Sequence, residues 1–363
     1  MKIGILTFHC AHNYGAVLQC YALQEYLKEV GHDVEVIDYR PHYLLEPYNI
    51  FKKTRVISKN PIRMAKNIVW EIILLYYRYK RHSSFNSFIK NKLKLSQRVE
   101  KDKIPETYEA YIIGSDQVWN TSITQGFDKI HFAYFPFPKK EKKYLSYAAS
   151  MGETYLSPEK EEYMKIALNN FDYLSVREND MVDLLQPLVK SPITQVLDPT
   201  LLINASIWEK LIHNPNIKNK YVLVYQVRVN EQTLKIAQQI ANQIGGIVIE
   251  AVAYINRNCR KNNYQTASPQ DFLSLIKHAA CVVTTSFHGT AFSVIFNRPF
   301  YTIYLNDGRD SRSCSLLEAV ELKNRIITLH EVPTFEPINF EQANNKLEDL
   351  RKQSRAFLNS SLQ

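Results

Sequence analysis

Apolar residues fall along this 363-residue chain in short, nearly unbroken runs, separated by stretches whose apolar positions recur at helical spacing. In the first half, KIGILTF, DVEVIDY, AYIIGSD, KYLSYAAS, YLSVRE and QVLDP predict strands. Their continuity suits parallel strands buried on both faces. Between the first two, YGAVLQCYALQEYLKEVG sets Val17, Leu18, Tyr21, Ala22 and Leu27 at helical spacing and closes at Gly31, a favourable C-terminal glycine. After a polar region near residue 213 the pattern restarts. YVLVYQV, GGIVIEA, CVVTTS, FYTIYL and RIITL predict strands, with helices expected over 231–243, 269–279 and 289–297. Two successive strand–helix arrays predict an α/β protein with two Rossmann-like domains facing a cleft, residues 1–205 and 206–335. A last polar stretch from Phe340 to Leu358 predicts a helix, within a tail 336–363 that could cross back to the first domain.

One segment departs from this pattern. Between Lys52 and Lys94 stand twelve Lys or Arg residues and one acid, Glu71, a net +11 against +9 for the whole chain. Lys59, Arg63 and Lys66 share a helical face, and IVWEIILLYYRYK adds Trp70, Ile72, Ile73, Tyr76 and Tyr77 beside further cations. A basic amphipathic helical insertion is therefore expected at about 50–95. Such a helix suits an anionic membrane surface, with residues 52–94 as the contact. The plainer alternative is a solvated helix that packs its apolar side on its own domain. No recognisable nucleic-acid module accompanies the charge, so nucleic acid is not an expected partner.

Composition adds little against this picture. Hydrophobic content is 45% and the ten glycines are dispersed, as in a globular protein. The 23 tyrosines suit wet, sugar-facing clefts, although tyrosine also fills cores. Five cysteines (Cys10, Cys20, Cys259, Cys281, Cys314) form no C-x-x-C pair, which fits a reduced compartment. The opening MKIGILTFHC reads as a strand rather than a signal peptide, and no run approaches ~20 uncharged apolar residues. The expected location is the cytoplasm, with the inner face of the membrane as an option through the basic segment.

Candidate chemistry gathers at predicted strand ends. In TTSFHGT a strand is expected to end near Thr285 and a helix to begin near Gly289. A helix starting there aims free N–H groups at the ligand crevice, which makes Ser286, Gly289 and Thr290 candidates for holding an anion. His288 at the same junction could donate a proton. NDGRDSRS follows the next strand and offers Arg309 and Arg312 for bidentate phosphate or carboxylate contacts; a solvated turn is the alternative. Arg177 ends YLSVRE, where pairing with Glu178 or Asp180 would be an ordinary fate. AHNYGA and IGSDQVWN follow strands of the first domain, so Asn13, Tyr14, Ser115, Asp116 and Gln117 are candidates for a hydroxyl-rich acceptor. Asp116 could act as base, and Asn13 could be only a helix cap. His9-Cys10-x-His12 lacks a second cluster to complete a zinc site, so no metal is expected. No P-loop or G-x-G-x-x-G follows the first strand, so no nucleotide cofactor is indicated.

The blocks NYGAVLQCYAL, IGSDQVWN, SYAASMG, LSVREND, LDPTLL, TTSFHGTAFSVIF and NRPF, in this order, resemble the polysaccharide pyruvyl transferase family. That resemblance implies a GT-B-type glycosyltransferase architecture with the donor largely on the second domain. It implies transfer of the enolpyruvyl group of phosphoenolpyruvate to a sugar, commonly as a cyclic ketal, in cell-surface polysaccharide biosynthesis. Phosphoenolpyruvate would be a co-substrate, with no cofactor beyond it. The acceptor would be a saccharide, for instance galactose, in some cases on a polyprenyl diphosphate carrier. The family's arginine in its S-x-R block falls on Arg177, its histidine on His288, and a later basic residue on Arg309 or Arg312. Many members carry arginine two residues before the histidine, where this chain has Ser286. Two other readings fit the same cleft: a glycosyltransferase using a nucleotide sugar, and a non-catalytic binder of sugar or phosphate.

Overall fold

A computed structural model describes residues 1–51, 59–258, 262–308 and 310–363. Arg309, Cys259 and residues 52–58 of the basic segment lie outside the described residues. Two parallel sheets organise the chain. The first contains β1 (Lys2–Leu6), β2 (Asp33–Tyr39), β3 (Leu95–Val99), β4 (Ala110–Asp116), β5 (Lys143–Ala149), β6 (Leu174–Val176) and β7 (Ile193–Gln195), in the order β3-β2-β1-β4-β5-β6-β7. The second contains β8 (Tyr221–Gln226), β9 (Ile247–Val252), β10 (Asn263–Tyr264), β11 (Cys281–Thr284), β12 (Phe300–Tyr304) and β13 (Ile326–Thr328), in the order β10-β9-β8-β11-β12-β13. Each order reverses once, between β1 and β4 and between β8 and β11, which is the doubly wound pattern of a Rossmann-like domain. Two such domains facing one another form a GT-B-like arrangement.

The helices that matter below are α1 (Tyr14–Glu29), α2 (Pro61–Lys92), α3 (Pro199–Leu202), α4 (Glu231–Gln243), α5 (Pro269–Lys277), α6 (Phe287–Ile295), α7 (Ser311–Ala319) and α8 (Glu341–Leu362). Strand residues alternate between two buried faces, which explains the unbroken apolar runs. Ile3, Ile5, Ala110 and Ile112 enter one core, while Leu6, Tyr111 and Ile113 enter another behind the sheet. In the second sheet Val222 and Val224 face α4, and Tyr221, Leu223 and Tyr225 face inward. That inward core is shared by both domains: Tyr14 stacks on Phe272 with ring centroids 4.4 Å apart, and Trp208 meets Phe292 at 5.0 Å.

Four elements differ from expectation. QVLDP is not a strand; β7 ends at Gln195, and the rest turns into α3 with Asp198 as its N-cap. β3 and β10 carry no apolar run, since one is a half-buried edge and the other has two residues. α6 begins at Phe287 rather than near Gly289, because Ser286 caps it.

The basic segment forms the 32-residue α2. Its second half is part of the core through Phe85, Phe88 and Ile89. Arg78 pairs with Glu71 at 2.7 Å, and buried Arg81 donates to the carbonyls of Val252 (2.8 Å), Ala253 (3.0 Å) and Gln265 (3.1 Å) and to Tyr14 Oη (3.2 Å). Two of the expected surface cations are therefore internal, and Arg81 bridges the domains. α8 lies against the first domain, donating from Arg351 Nε to Leu201 O at 2.7 Å and from Arg355 Nη2 to Leu202 O at 2.8 Å, while Lys346 pairs with Glu321 of the second.

Candidate active site

Both sheet reversals open onto one space. Loops after β1 and β4 meet loops after β8, β11 and β12 around a cavity of about 510 Å³. Of the residues expected at a site, Asn13, Asp116, Gln117, Ser286, His288 and Arg312 line it.

Two helices start at this cavity. Asn13 caps α1, its Oδ1 accepting from Gly15 N at 2.9 Å and Ala16 N at 3.4 Å. Ser286 caps α6, its Oγ accepting from Gly289 N at 3.5 Å. The serine that stands where arginine is common thus serves the helix terminus. Both glycines of these turns make room rather than bend. A Cβ on Gly15 would fall 2.0 Å from His288 Nδ1, and one on Gly289 would fall 2.3 Å from Thr284 Oγ1. The His288 ring therefore rests on the first turn of α1, reaching from the second domain to the first.

Its other nitrogen, Nε2, stands 3.7 Å from Asp198 Oδ2, beyond hydrogen-bond length, and has no hydrogen-bond partner among the described residues. Asp198 is fully buried and collects donors: Arg177 Nη1 at 2.8 Å, Thr200 Oγ1 at 2.7 Å, Thr200 N at 3.0 Å and Ser115 Oγ at 3.4 Å. Burial opposes its charge, but His288, Arg177 and the Thr200 N–H outweigh that and hold the carboxyl well below the usual range.

Arg177 stands behind this pair rather than in the cavity. It is buried, its Nε lies 3.1 Å from Glu178 and its guanidinium 5.1 Å from the Phe287 ring. Burial works against its charge, yet Glu178, Asp198 and Asp116 raise it above the ordinary arginine value. Among the described residues its Nη2 has no hydrogen-bond partner, and Asp116 Oδ1 lies 4.0 Å from it. Arg312 is its neighbour and lines both the cavity and a smaller one of about 80 Å³ shared with Arg177. Burial and the Arg177 charge pull Arg312 down to about 10, and Glu178 at 4.0 Å is a weak partner. Two adjacent guanidiniums, one loosely paired, suit an anion bearing more than one charge.

Asp116 reaches the cavity from a left-handed backbone conformation, φ 71°, with Oδ1 accepting from Gln117 N at 2.9 Å. An aspartate tolerates that region better than most residues, and its occurrence at a cleft is a mark of sites. Other expected residues do not face the cavity. Tyr14 is wholly buried, its Oη donating to Ala267 O at 3.1 Å. Ser115 points inward to Ala148 O at 3.0 Å, and Thr290 is buried with Oγ1 2.7 Å from Thr302 Oγ1. His9 pairs with Asp38 at 2.9 Å, while His12 stacks on Phe85, so the two point to different partners.

Three residues of the site were not anticipated. Asp198 was hidden in an apparent strand, although Asp-Pro before an apolar turn is a helix-start signal. Arg228 lies just past the end of β8 as Arg177 lies just past that of β6; it pairs with Asp307 and, at 2.5 Å, Asp310, tying the loop after β12 to the cavity. Tyr254 lines the opposite rim from the loop after β9.

Known proteins were compared with this geometry. No curated protein matches the sequence. Among solved structures, the UDP-GlcNAc 2-epimerase of Methanocaldococcus jannaschii, in complex with UDP-GlcNAc and UDP, is 15% identical, covering 97% of this chain and 100% of that one, with a TM-score of 0.45. The UDP-GlcNAc 2-epimerase of Neisseria meningitidis bound to UDP-GlcNAc is 11% identical, covering 99% and 94%, with a TM-score of 0.46. The family described as polysaccharide pyruvyl transferase matches residues 13–307, which include Asn13, Asp116, Arg177, Asp198 and His288. With most of its length inside that match, the chain belongs to the polysaccharide pyruvyl transferase family.

Proposed function

We propose that this protein transfers the pyruvyl group of phosphoenolpyruvate to two hydroxyls of a saccharide, forming a cyclic ketal and releasing phosphate. The observation that carries the proposal is His288, set between Asp198 and the first turn of α1, with Arg312 and Arg177 alongside. Phosphoenolpyruvate is a carboxylate and a phosphate on one small carbon frame. Arg312 and the start of α6 supply donors for both, and Arg177, behind them, holds Asp198 in place.

In this reading, imidazolium at His288 gives its proton to the methylene carbon of the enol, and C2 becomes electron-poor. Asp198 supports the charged ring before the transfer. A sugar hydroxyl attacks C2 and loses its proton to Asp116, whose half-buried carboxylate lines the cavity. The C2–O bond to phosphate then breaks, and the second hydroxyl closes the ring while its proton leaves with phosphate or returns to His288. Donor contacts come from the second domain, and Asn13, Gln117 and Asp116 present polar groups to the acceptor. A hexose such as galactose, carried on a polyprenyl diphosphate, is the acceptor this reading favours.

Phosphate release from phosphoenolpyruvate, with and without a galactose-terminated acceptor, tests it. Acceptor-dependent release that disappears in His288→Ala supports the proposal. Turnover of a nucleotide sugar, with no response to phosphoenolpyruvate, would replace it.

A further inference from the structure

The outer face of α2 carries an apolar band that is exposed among the described residues. Ile62, Val69, Ile72, Ile73, Tyr76 and Tyr79 are exposed, Ile62 by 81% and Ile72 by 64%. On a helix of 3.6 residues per turn they fall within one sector of roughly 120°. A contiguous patch of this kind marks an interaction surface.

Charge identifies what covers it. Lys59, Arg63, Lys66 and Lys80 are exposed along the same stretch, and among the described residues none has a carboxylate within ion-pair distance. The sole acid of the helix, Glu71, is turned inward onto Arg78. Lys80 Nζ lies 4.9 Å from the Tyr76 ring, at the margin of the band. A second copy of this face would set cations against cations. Anionic headgroups would neutralise them, while isoleucines and tyrosines enter the headgroup boundary ~5–10 Å deep. Among the described residues no helix is long and apolar enough to cross a membrane, so the contact would be interfacial.

We propose that the protein docks on an anionic bilayer through this face of α2, the helix lying in the plane of the interface. The second half of the same helix is fixed by Phe85 and Phe88 in the core and by Arg81 across both domains, so docking sets the orientation of the whole molecule. A cavity of about 840 Å³ opens between Arg63 of α2 and Arg257 of the second domain, and Tyr254 lines both it and the candidate site. A lipid-borne saccharide would pass that way; this last step rests on the pyruvyl-transfer reading, and the docking does not.

The test is flotation of the full chain with vesicles of equal parts phosphatidylglycerol and phosphatidylcholine, against phosphatidylcholine alone. Ile72→Ser with Tyr76→Ser, and Lys66→Gln with Lys80→Gln, change exposed positions, so their melting temperatures should stay at the wild-type value. Wild type is expected to float only with the anionic vesicles, less at high salt, and each pair of substitutions to weaken binding about tenfold or more. Phosphate release with a water-soluble saccharide acceptor should be unchanged in both, which separates failure of docking from failure of the catalytic reading. Absence of flotation, flotation indifferent to the substitutions, or self-association of the wild type that the substitutions abolish would each overturn the proposal.

Discussion

The imidazole of His288 occupies the space that a side chain at Gly15 would need, with 2.0 Å between Nδ1 and the position of a Cβ there. One contact thus joins the start of α1 in the first domain to the start of α6 in the second. The two motifs NYGA and FHGT, far apart in sequence, are halves of one site.

Gly15→Ala is therefore expected to displace the ring. Stability should fall by about 1–3 kcal/mol, as for other overpacked interiors, while turnover falls much further, roughly a hundredfold or more. Thermal melting and steady-state rates separate the two. Full activity in a folded Gly15→Ala protein would show that the placement of His288 is unimportant.

Asp198→Asn keeps the shape and removes the charge. Arg177 would remain buried with Glu178 as a partner but without the Asp198 charge, so a loss of about 3 kcal/mol is expected. The pH dependence carries the sign. Because the folded carboxyl is held low, its contribution is present above the ordinary aspartate value near ~4 and is lost as pH falls toward the depressed folded value. Urea titrations of the variant should accordingly show a shallower fall in stability on the acid side than the wild type.

Two buried histidines act at higher pH. Burial, with His82 nearby, lowers His12 to about 3; burial, against the pull of Asp128, lowers His131 to about 4. The unfolded chain protonates both below ~6.5 while the folded chain does not, so stability should decline as pH falls from about 6.5 to 4. Each contributes on the order of 3 kcal/mol across that window. His131→Gln should remove part of the slope in urea midpoints measured over the same range.

Arg81→Lys tests the bridge between the domains. Lysine retains the charge but cannot reproduce the planar fork that reaches the carbonyls of Val252, Ala253 and Gln265. Buried carbonyls left without donors cost about 1–3 kcal/mol each. Calorimetry should show a lower melting temperature, with the largest loss of protection from hydrogen exchange at the β9 end and Gln265.

Much of this architecture was legible in the chain, for definite reasons. Strands such as β1, β4, β8 and β11 are buried on both faces, and nothing but an unbroken apolar run serves that environment. β3, with Ser96, Gln97 and Arg98 on a half-solvated edge, has no such requirement and gave no signal. Strand ends located the cavity, and His288, Asp116 and Arg312 followed from it. The same rule could have found Arg228 after YVLVYQ. Tyr14 shows its limit, since position in the chain placed the residue near the cleft while the turn of α1 sent its ring into the core. Asp198 was out of reach for a different reason. Its role depends on Arg177, 21 residues away, and on His288 across the domain boundary, and those proximities exist only in the folded chain.

The most direct test of the central claim is phosphate release from phosphoenolpyruvate with a saccharide acceptor, for wild type and His288→Ala. Release that requires acceptor and falls by roughly a hundredfold to ten-thousandfold in a folded His288→Ala protein is the predicted result. Release that persists at the wild-type rate without His288, or no release with any acceptor tried, would contradict it.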